Sequence, residues 1–440
     1  MATAATDAQR AWVLDTLEGY WRGVAEIIAR LPLARLLEPY EESIPPRFLS
    51  VALPDWASHA GVDGALLIPA QLLVPGDRPA WERVDWLGTA FWFLHACAER
   101  AFEQQHGPIH SFRFRLRGWD DRHWDHAWVN RIAVFLREWA ARRQGVSARE
   151  CCGPLPAPEM LLTHDVDAVR KTWAIRLKQT AFHGFNWVRS WVQGRWREGA
   201  GKLCHALAFL CRPANYWRFE ELTQLETQYG LKSQFNFYGG TGGFMRRPRD
   251  LLLDPGYSVE TPAIRAVMRS LQGSGCGIGL HPSFAAWNDA DRMAAEKSRV
   301  ERALGAPINQ VRMHWLRFSW HDTWHVQQLC GLRDDSTLGF NDRPGFRNGA
   351  ALVFHPWDRA RQQPMALRAT PMVLMDSQLY DYATTNPDQR RATMTRLIRE
   401  VHGVGGKATI IWHPHVLSPD YGWGGGYREF LHLLAAGGNS

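Results

Sequence analysis

Seven short, largely apolar runs alternate with helix-like stretches between residues 160 and 413, and this alternation limits the possible folds more than any other feature. Strands that alternate with helices build a parallel sheet or barrel, because each helix returns the chain to the start of the next strand. We therefore expect an α/β fold for this part of the chain. The predicted strands are 160–164, 232–238, 276–281, 308–314, 331–335, 366–375 and 407–413.

Acidic residues and histidines stand at the ends of several predicted strands. The first strand ends in Thr-His-Asp-Val-Asp, which contains Asp165 and Asp167, and His281, His314 and His413 close three later strands. The carboxyl ends of parallel strands meet at one face, where α/β enzymes bind their ligands. Two carboxylates at i and i+2 repel each other unless a cation or a proton separates them. The pattern favours a metal site, and a solvated turn is the alternative for the Asp-x-Asp segment alone.

Composition and proline content suggest two parts in this chain of 440 residues. Hydrophobic residues make up 45%, which is enough for a large core, and prolines cluster just before residue 160. We expect residues 1–155 to form an accessory α/β domain of unknown role and residues 156–440 to form the barrel. The N-terminus lacks a signal-peptide pattern, no long apolar stretch occurs, and the seven cysteines form no C-x-x-C pair. These features predict a cytoplasmic protein.

A basic, tryptophan-rich segment at about 170–215 interrupts the alternating pattern. Between Arg170 and Arg218 there are ten basic residues and one acid, Glu198, with five tryptophans among them. Such a helical segment favours peripheral contact with an anionic membrane on its inner face. Nucleic acid is the competing partner, since basic and aromatic residues also suit phosphates and bases, but we do not favour it. The third interpretation is a helical insertion that packs on the barrel.

The order of these motifs resembles the polysaccharide deacetylase family (carbohydrate esterase family four) over about residues 158–436. The resemblance implies a distorted (β/α)7 barrel and a divalent metal, most often zinc, that serves in removal of acetyl groups from N-acetylated sugars. It implies that Asp165 is the general base and Asp167 a metal ligand. By the same match, His281 in Gly-Leu-His-Pro-Ser is a metal ligand and Arg312 is the residue that braces the base. His413 is the general acid, and Asp335 in the fourth motif is a carboxylate that helps it.

One departure from the family pattern concerns the metal ligands. The second motif normally has another histidine four residues after the first, and that position holds Ala285. A catalytic zinc site needs a third protein ligand, for which His314 is the first candidate and His164 the second. The resemblance is closer to a divergent branch linked to bacterial surface-polysaccharide biosynthesis than to secreted chitin deacetylases. It implies an acetylated saccharide as substrate, either free or lipid-linked. The alternative is a non-catalytic saccharide-binding protein that retains the barrel.

Overall fold

A computed structural model shows an eight-stranded parallel sheet that is built from the C-terminal two thirds of the chain. It describes residues 5–38, 40–173, 213–242, 248–382 and 386–438, with short pieces at 175–177, 180, 184, 187–188 and 209–211. The strands are β1 (Phe48–Ala52), β2 (Ala65–Pro69), β3 (Glu159–Val166), β4 (Ser233–Tyr238), β5 (Gly277–His281), β6 (Gln310–Val311), β7 (Asp334–Asp335), β8 (Trp357–Asp358), β9 (Gln363–Pro364), β10 (Arg368–Ala369), β11 (Met372–Met375) and β12 (Lys407–Ile411).

The large sheet has the order β10-β7-β6-β5-β4-β3-β12-β11, and every neighbouring pair is parallel. Its two edge strands, β10 and β11, belong to one extended segment, because only Thr370 and Pro371 separate them. Thr370 N–H donates to Asp335 on one side, and Thr409 N–H donates to Pro371 on the other. The segment therefore closes the sheet, so the predicted distorted (β/α)7 barrel is confirmed.

Helices return the chain between most of the barrel strands, as the alternating pattern predicts. The α-helices are α1 (Asp7–Thr16), α2 (Glu18–Trp21), α3 (Ala25–Ala29), α4 (Ala80–Arg83), α5 (Trp86–Leu94), α6 (Cys97–His106), α7 (Trp128–Gln144), α8 (Ala148–Cys152), α9 (Phe219–Thr227), α10 (Pro248–Leu253), α11 (Pro262–Gly273), α12 (Ala290–Leu304), α13 (Thr323–Leu329), α14 (Pro387–Gly403) and α15 (Gly424–Ala435). Among the described helices, none combines the length and apolar character needed to cross a membrane.

Local sequence explains where the long helix before the last barrel strand begins. Asn386 accepts a hydrogen bond from the Gln389 N–H, the Gln389 side chain bonds back to the Asn386 N–H, and Pro387 occupies the first turn. This capping box satisfies two backbone donors that a helix start leaves without partners. The apolar side of α14 then packs into the barrel core, where Leu397, Ile398 and Val401 are fully buried. The cap thus fixes the approach to β12, which carries His413 at its end.

The N-terminal region shares a hydrophobic core with the barrel. Buried apolar residues between positions 5 and 152 form one cluster with residues between 318 and 369. A buried ion pair reinforces this contact, with Arg347 Nη2 lying 2.7 Å from Glu99 Oε2, and the Trp320 indole N–H donates to the same carboxylate. The strands β1 and β2 form a separate antiparallel pair. The domain division near residue 155 stays a prediction, but the side chains on its two sides form one core.

Two segments outside the barrel need separate mention. The helices α5 and α6 are consecutive but distinct, because Ala96 between them has a φ of +49°. A left-handed residue cannot continue a right-handed helix, so the chain changes direction there. The basic segment at about 170–215 lies mostly outside the described residues, and only its first part contributes to the account of the site below.

Candidate metal centre

The chemically active side chains lie at the carboxyl ends of four barrel strands. Asp165 is on β3 and Asp167 follows it, His281 ends β5, His314 follows β6, and His413 follows β12. Parallel strands present these ends at one face of the barrel, so residues far apart in sequence meet there. All five side chains line one cavity of about 870 Å³.

Asp167, His281 and His314 form a compact group of possible metal ligands. Asp167 Oδ1 lies 3.2 Å from His281 Nε2 and 3.4 Å from His314 Nδ1, and the two histidine nitrogens are 2.9 Å apart. Their ligand atoms all lie within 4.8 Å of one another. These are the three residues that the sequence selects as metal ligands, and the structure brings them together.

The outer nitrogens of both histidines bond to backbone carbonyls. His281 Nδ1 lies 2.7 Å from Arg312 O, and His314 Nε2 lies 2.8 Å from Leu253 O. A carbonyl oxygen can only accept, so each of these nitrogens donates its proton outward. In neutral rings the inner nitrogens, His281 Nε2 and His314 Nδ1, then direct lone pairs at each other and at Asp167. This arrangement is typical of metal-binding histidines.

Asp167 supplies a further observation that fits a cation. Its Oδ1 is buried and makes no hydrogen bond. Burial alone would raise the pKa of Asp167, but when the rings are protonated the charge on His314 and the polar interaction with His281 and His314 outweigh burial and hold the pKa well below its usual range. An ionised, buried carboxylate oxygen facing two nitrogen lone pairs matches the nitrogen and oxygen donors of a zinc site with an open position. The residues present therefore fit a divalent metal.

His314 reaches the group from a short, strained turn and not from a strand. It begins a single 3-10 turn, and the next two residues, Trp315 and Leu316, have φ values of +57° and +45°. Non-glycine residues in this left-handed region cost about 1–3 kcal/mol each and persist where surrounding contacts fix them. Here the Trp315 indole N–H donates to Leu253 O, the carbonyl that also holds His314. The strained backbone therefore lies next to His314, the candidate ligand that would replace the histidine absent from position 285.

His164, the second candidate for the third ligand, lies on the other side of β3. Neighbouring residues of a strand point to opposite faces, so His164 points away from Asp165. Its ring bonds to Trp412 O and to Glu226 Oε1, both at 2.6 Å, and it is fully buried. Glu226 also accepts from Tyr427 and Ser233. His164 therefore belongs to a buried network behind the strand and does not reach the site.

Asp165 is buried beside the ligand group but is not one of its three members. It pairs in register with Asn236 on β4, whose Nδ2 donates to Asp165 Oδ1 at 2.8 Å. The bond orients the carboxylate and occupies one of its oxygens. Asp165 also lines the cavity, so its carboxylate faces the space that a substrate would enter. This placement agrees with a proton-accepting role.

Arg312 is fully buried, but its contacts differ from those that the resemblance implies. Its Nε donates to Ser336 Oγ, and its Nη2 donates to Thr163 Oγ1 and Thr409 Oγ1 at 3.0 and 3.3 Å. Within the described part of the chain, no hydrogen bond or ion pair joins Arg312 to Asp165. Burial lowers the pKa of Arg312, and the charges of Asp165 and Asp335 oppose that shift. Arg312 thus acts on Asp165 through its charge and not through a direct, two-pronged hydrogen-bonded contact between guanidinium and carboxylate.

The structure places Asp376, and not Asp335, against His413. Asp335 is bonded by Trp324 Nε1, Gln327 Nε2 and Thr337, and it is absent from the cavity lining. Asp376 directly follows β11, is fully buried, and lies with both carboxylate oxygens 3.0 Å from His413 Nδ1. It also accepts from the His413 backbone N–H at 2.6 Å. The expected helper carboxylate exists, but it comes from a different strand.

His413 is held in its charged form by these neighbours. Burial alone would lower its pKa, but the Asp376 carboxylate, followed by Asp167 and Asp165, raises the pKa to about 10. Its Nε2 points toward the ligand group and lies 3.5 Å from Asp167 Oδ2. A proton is therefore available on the side of His413 that faces the cavity.

Asp376 is one of two site residues that the sequence analysis missed. The signal was present, because Asp376 immediately follows the predicted strand 366–375, as Asp165 and His413 occupy the ends of theirs. Asn236 was also missed, since a lone asparagine inside a strand carries no pattern of its own. Only its register against Asp165 shows its role.

Comparisons with known proteins add little to this account. No family model matches the chain, and no curated protein matches it. Among solved structures, the chain is similar to one described as a candidate polysaccharide deacetylase from Mycobacterium smegmatis, with 17% sequence identity and a TM-score of 0.38. The alignment covers 64% of this chain and 88% of that one. A TM-score this low leaves the fold assignment to the sheet topology itself.

Proposed function

We propose that this protein is a metal-dependent hydrolase that removes an acetyl group from an N-acetylated sugar of a bacterial surface polysaccharide or its precursor. One observation carries the proposal. Three candidate ligands with inward-facing donor atoms share one cavity with a carboxylate outside the ligand group, Asp165, and a protonated histidine, His413. A base and an acid beside a metal site are what amide hydrolysis requires.

Asp167, His281 and His314 would hold the metal. The set has two nitrogen donors and one oxygen donor, which suits zinc. Such an ion lowers the pKa of a water and polarises the acyl carbonyl. The chain's own residues supply the proton transfers. Asp165 takes a proton from the water as the new carbon–oxygen bond forms, and Asn236 keeps the carboxylate in place.

The departing nitrogen needs a proton, because an amide anion is a very poor leaving group. His413 donates the proton from Nε2 to the sugar nitrogen as the carbon–nitrogen bond breaks. Asp376 accepts from His413 Nδ1 and stabilises the charge on the ring before transfer. The products are an amino sugar and acetate. Asp376 is therefore a positioning residue that acts through His413.

Loss of His314 is expected to abolish stoichiometric zinc binding. Three protein ligands are the usual minimum for a catalytic zinc site, and His314→Ala leaves Asp167 and His281 alone. The measurement is zinc content by atomic emission after equilibrium dialysis. His321→Ala is the matched control, since that histidine is largely exposed and lies away from the cavity. It should keep one equivalent of zinc.

The same measurement separates the proposal from its rival. If His314→Ala keeps one equivalent and His164→Ala loses it, the third ligand is His164. If the metal-loaded wild type itself holds no zinc, the alternative of a non-catalytic saccharide-binding protein becomes the better account. Thermal unfolding of each variant shows whether lost zinc reflects the missing ligand or a misfolded chain.

We also propose that the protein works in the cytoplasm, where its basic segment contacts the inner face of an anionic membrane. The described start of this segment supports the proposal. Trp173, Leu177 and Val188 are 71%, 62% and 49% exposed, and the exposed Arg170 lies three residues before Trp173. Exposed apolar side chains beside basic ones are typical of elements that lie in a membrane interface.

Binding to anionic vesicles is expected to be strong at low salt and to weaken as salt is added. Basic residues near an anionic surface contribute about 1 kcal/mol each, and salt screens that attraction. The test is co-sedimentation with phosphatidylglycerol-containing vesicles, with pure phosphatidylcholine vesicles as the control. No binding to anionic vesicles at low salt would favour an insertion packed on the barrel. Binding to RNA but not to vesicles would favour a nucleic-acid partner.

A further inference from the structure

The cavity above the candidate metal centre has a polar floor and an apolar wall. The floor carries the acids and histidines described above. The wall is formed by α10 with Leu251, Leu252 and Leu253, together with Trp315 and Trp173. Leu253 joins the two parts, because its carbonyl holds the candidate ligand His314. An apolar surface therefore begins at the reaction centre and continues to the cavity mouth.

The mouth of this cavity exposes large apolar side chains to solvent. Trp173, Leu252 and Tyr382 all line it and are 71%, 59% and 44% exposed. Exposed apolar residues are ordinary when scattered singly, but several that line one cavity indicate a binding surface. A sugar polymer offers hydroxyl groups, which leucine side chains cannot bond. The wall instead suits a hydrocarbon chain.

The inner end of the cavity limits how that chain can lie. Leu316 and Met375 line the cavity and pack with Met372 and Ile411 as a small buried cluster inside the barrel. Because buried side chains pack together at this end of the cavity, it favours a short acyl group over a long one. The short methyl of an acetyl group needs no tunnel. A long chain on the substrate must therefore leave through the mouth, along α10.

We propose that the substrate is an amphiphile, in which the N-acetylated sugar is linked to a long alkyl or prenyl chain that lies on the α10 wall. The inference rests on the proposed function, since it assigns the substrate class of the same site. It identifies α10 and Trp173 as determinants of specificity. The sugar occupies the polar floor, and the chain passes Leu252 and Trp173 on its way out.

Binding of two matched glycosides tests the inference without any turnover. The probes are octyl and methyl N-acetyl-β-D-glucosaminide, and isothermal titration calorimetry measures their affinities below the micelle concentration. The protein is the zinc-loaded Asp165→Asn variant, in which hydrolysis is expected to be about 10²–10⁴-fold slower. Each buried methylene contributes about fourfold in affinity. We therefore expect the octyl glycoside to bind at least tenfold more tightly than the methyl glycoside.

Surface variants then locate the chain. Leu252→Asp and Trp173→Asp should remove most of the octyl preference, because a carboxylate next to a hydrocarbon chain is unfavourable. Leu329→Asp is the matched control, since Leu329 is 79% exposed on α13 and does not line the cavity. It should leave the preference unchanged. Both cavity positions are largely exposed, so neither change should disturb folding.

The outcomes separate the inference from the proposed function. Equal affinity for the two glycosides, or an octyl preference that survives both cavity variants, overturns the inference. If N-octanoylglucosamine binds more tightly than the octyl glycoside, the alkyl chain belongs on the acyl group of the substrate, and this result also overturns the inference. An octyl preference in a wild-type enzyme that hydrolyses neither glycoside would support the amphiphile site while contradicting the deacetylase function.

Discussion

Replacement of Asp165 by Asn is expected to lower kcat for amide hydrolysis by about 10²–10⁴-fold, which is the usual contribution of general acid–base catalysis. Asparagine keeps the size of the side chain but cannot accept the proton of the attacking water. Zinc should remain at one equivalent, because Asp165 is not among the three atoms that converge on the candidate metal position. Acetate release from tetra-N-acetylchitotetraose and zinc content by atomic emission measure the two effects.

The pairing of the two readouts makes this experiment informative. Loss of zinc from Asp165→Asn would show that Asp165 is a ligand, and the roles of Asp165 and Asp167 would be reversed. Asp291→Asn is a suitable control, because Asp291 is an exposed carboxylate on α12, outside the cavity lining. Its rate should stay within about twofold of the wild type, in line with the small effects of most surface substitutions.

Replacement of His413 by Ala is expected to lower the rate on amides by a similar factor of about 10²–10⁴, and to affect activated esters far less. The amine leaves only after it receives a proton, whereas 4-nitrophenolate departs without one. The measurement compares tetra-N-acetylchitotetraose with 4-nitrophenyl acetate in the same variant. Equal losses on both substrates would contradict the role of His413 as the acid.

Asp376→Asn should reproduce part of this selective loss and should also change the pH profile. The Asp376 carboxylate is the main cause that raises the pKa of His413 to about 10. The enzyme keeps its acid protonated until pH approaches that value, and activity on amides is lost as pH rises through it. Without the carboxylate, the alkaline limit should move to lower pH. A reduced rate with an unmoved alkaline limit would point to a purely structural role for Asp376.

The strand pattern of the barrel could be predicted from the sequence, because parallel barrel strands are buried on both sides and appear as short apolar runs. The run at 407–413 corresponds to β12, and the run at 232–238 corresponds to β4. The run at 366–375 contains β10 and β11, which is why a count of seven strands from the sequence corresponds to eight in the sheet. Strand ends also identified the residues of the ligand group.

Other features depend on three-dimensional contacts that a sequence pattern does not contain. The lengths of β6 and β7, two residues each, depend on where the chain leaves the sheet toward His314 and Ser336. The partner of His413 depends on which strand lies beside β12: β11 does so, while β7 is separated from β12 by the β10–β11 segment. The resemblance assigned the role to Asp335 by order along the chain. Sheet order assigns it to Asp376.

The core that joins the N-terminal region to residues 318–369 has a consequence for how the chain is made. Synthesis delivers the first 150 residues early, but the last member of their apolar cluster, Ala369, follows about two hundred residues later. At about 5–20 residues per second, the ribosome needs about 10–40 s to supply it. Ala369 also lies in β10, the strand at which the barrel closes. The nascent N-terminal region must therefore remain incompletely packed until the barrel itself can close, and its apolar side chains stay exposed to aggregation during this interval.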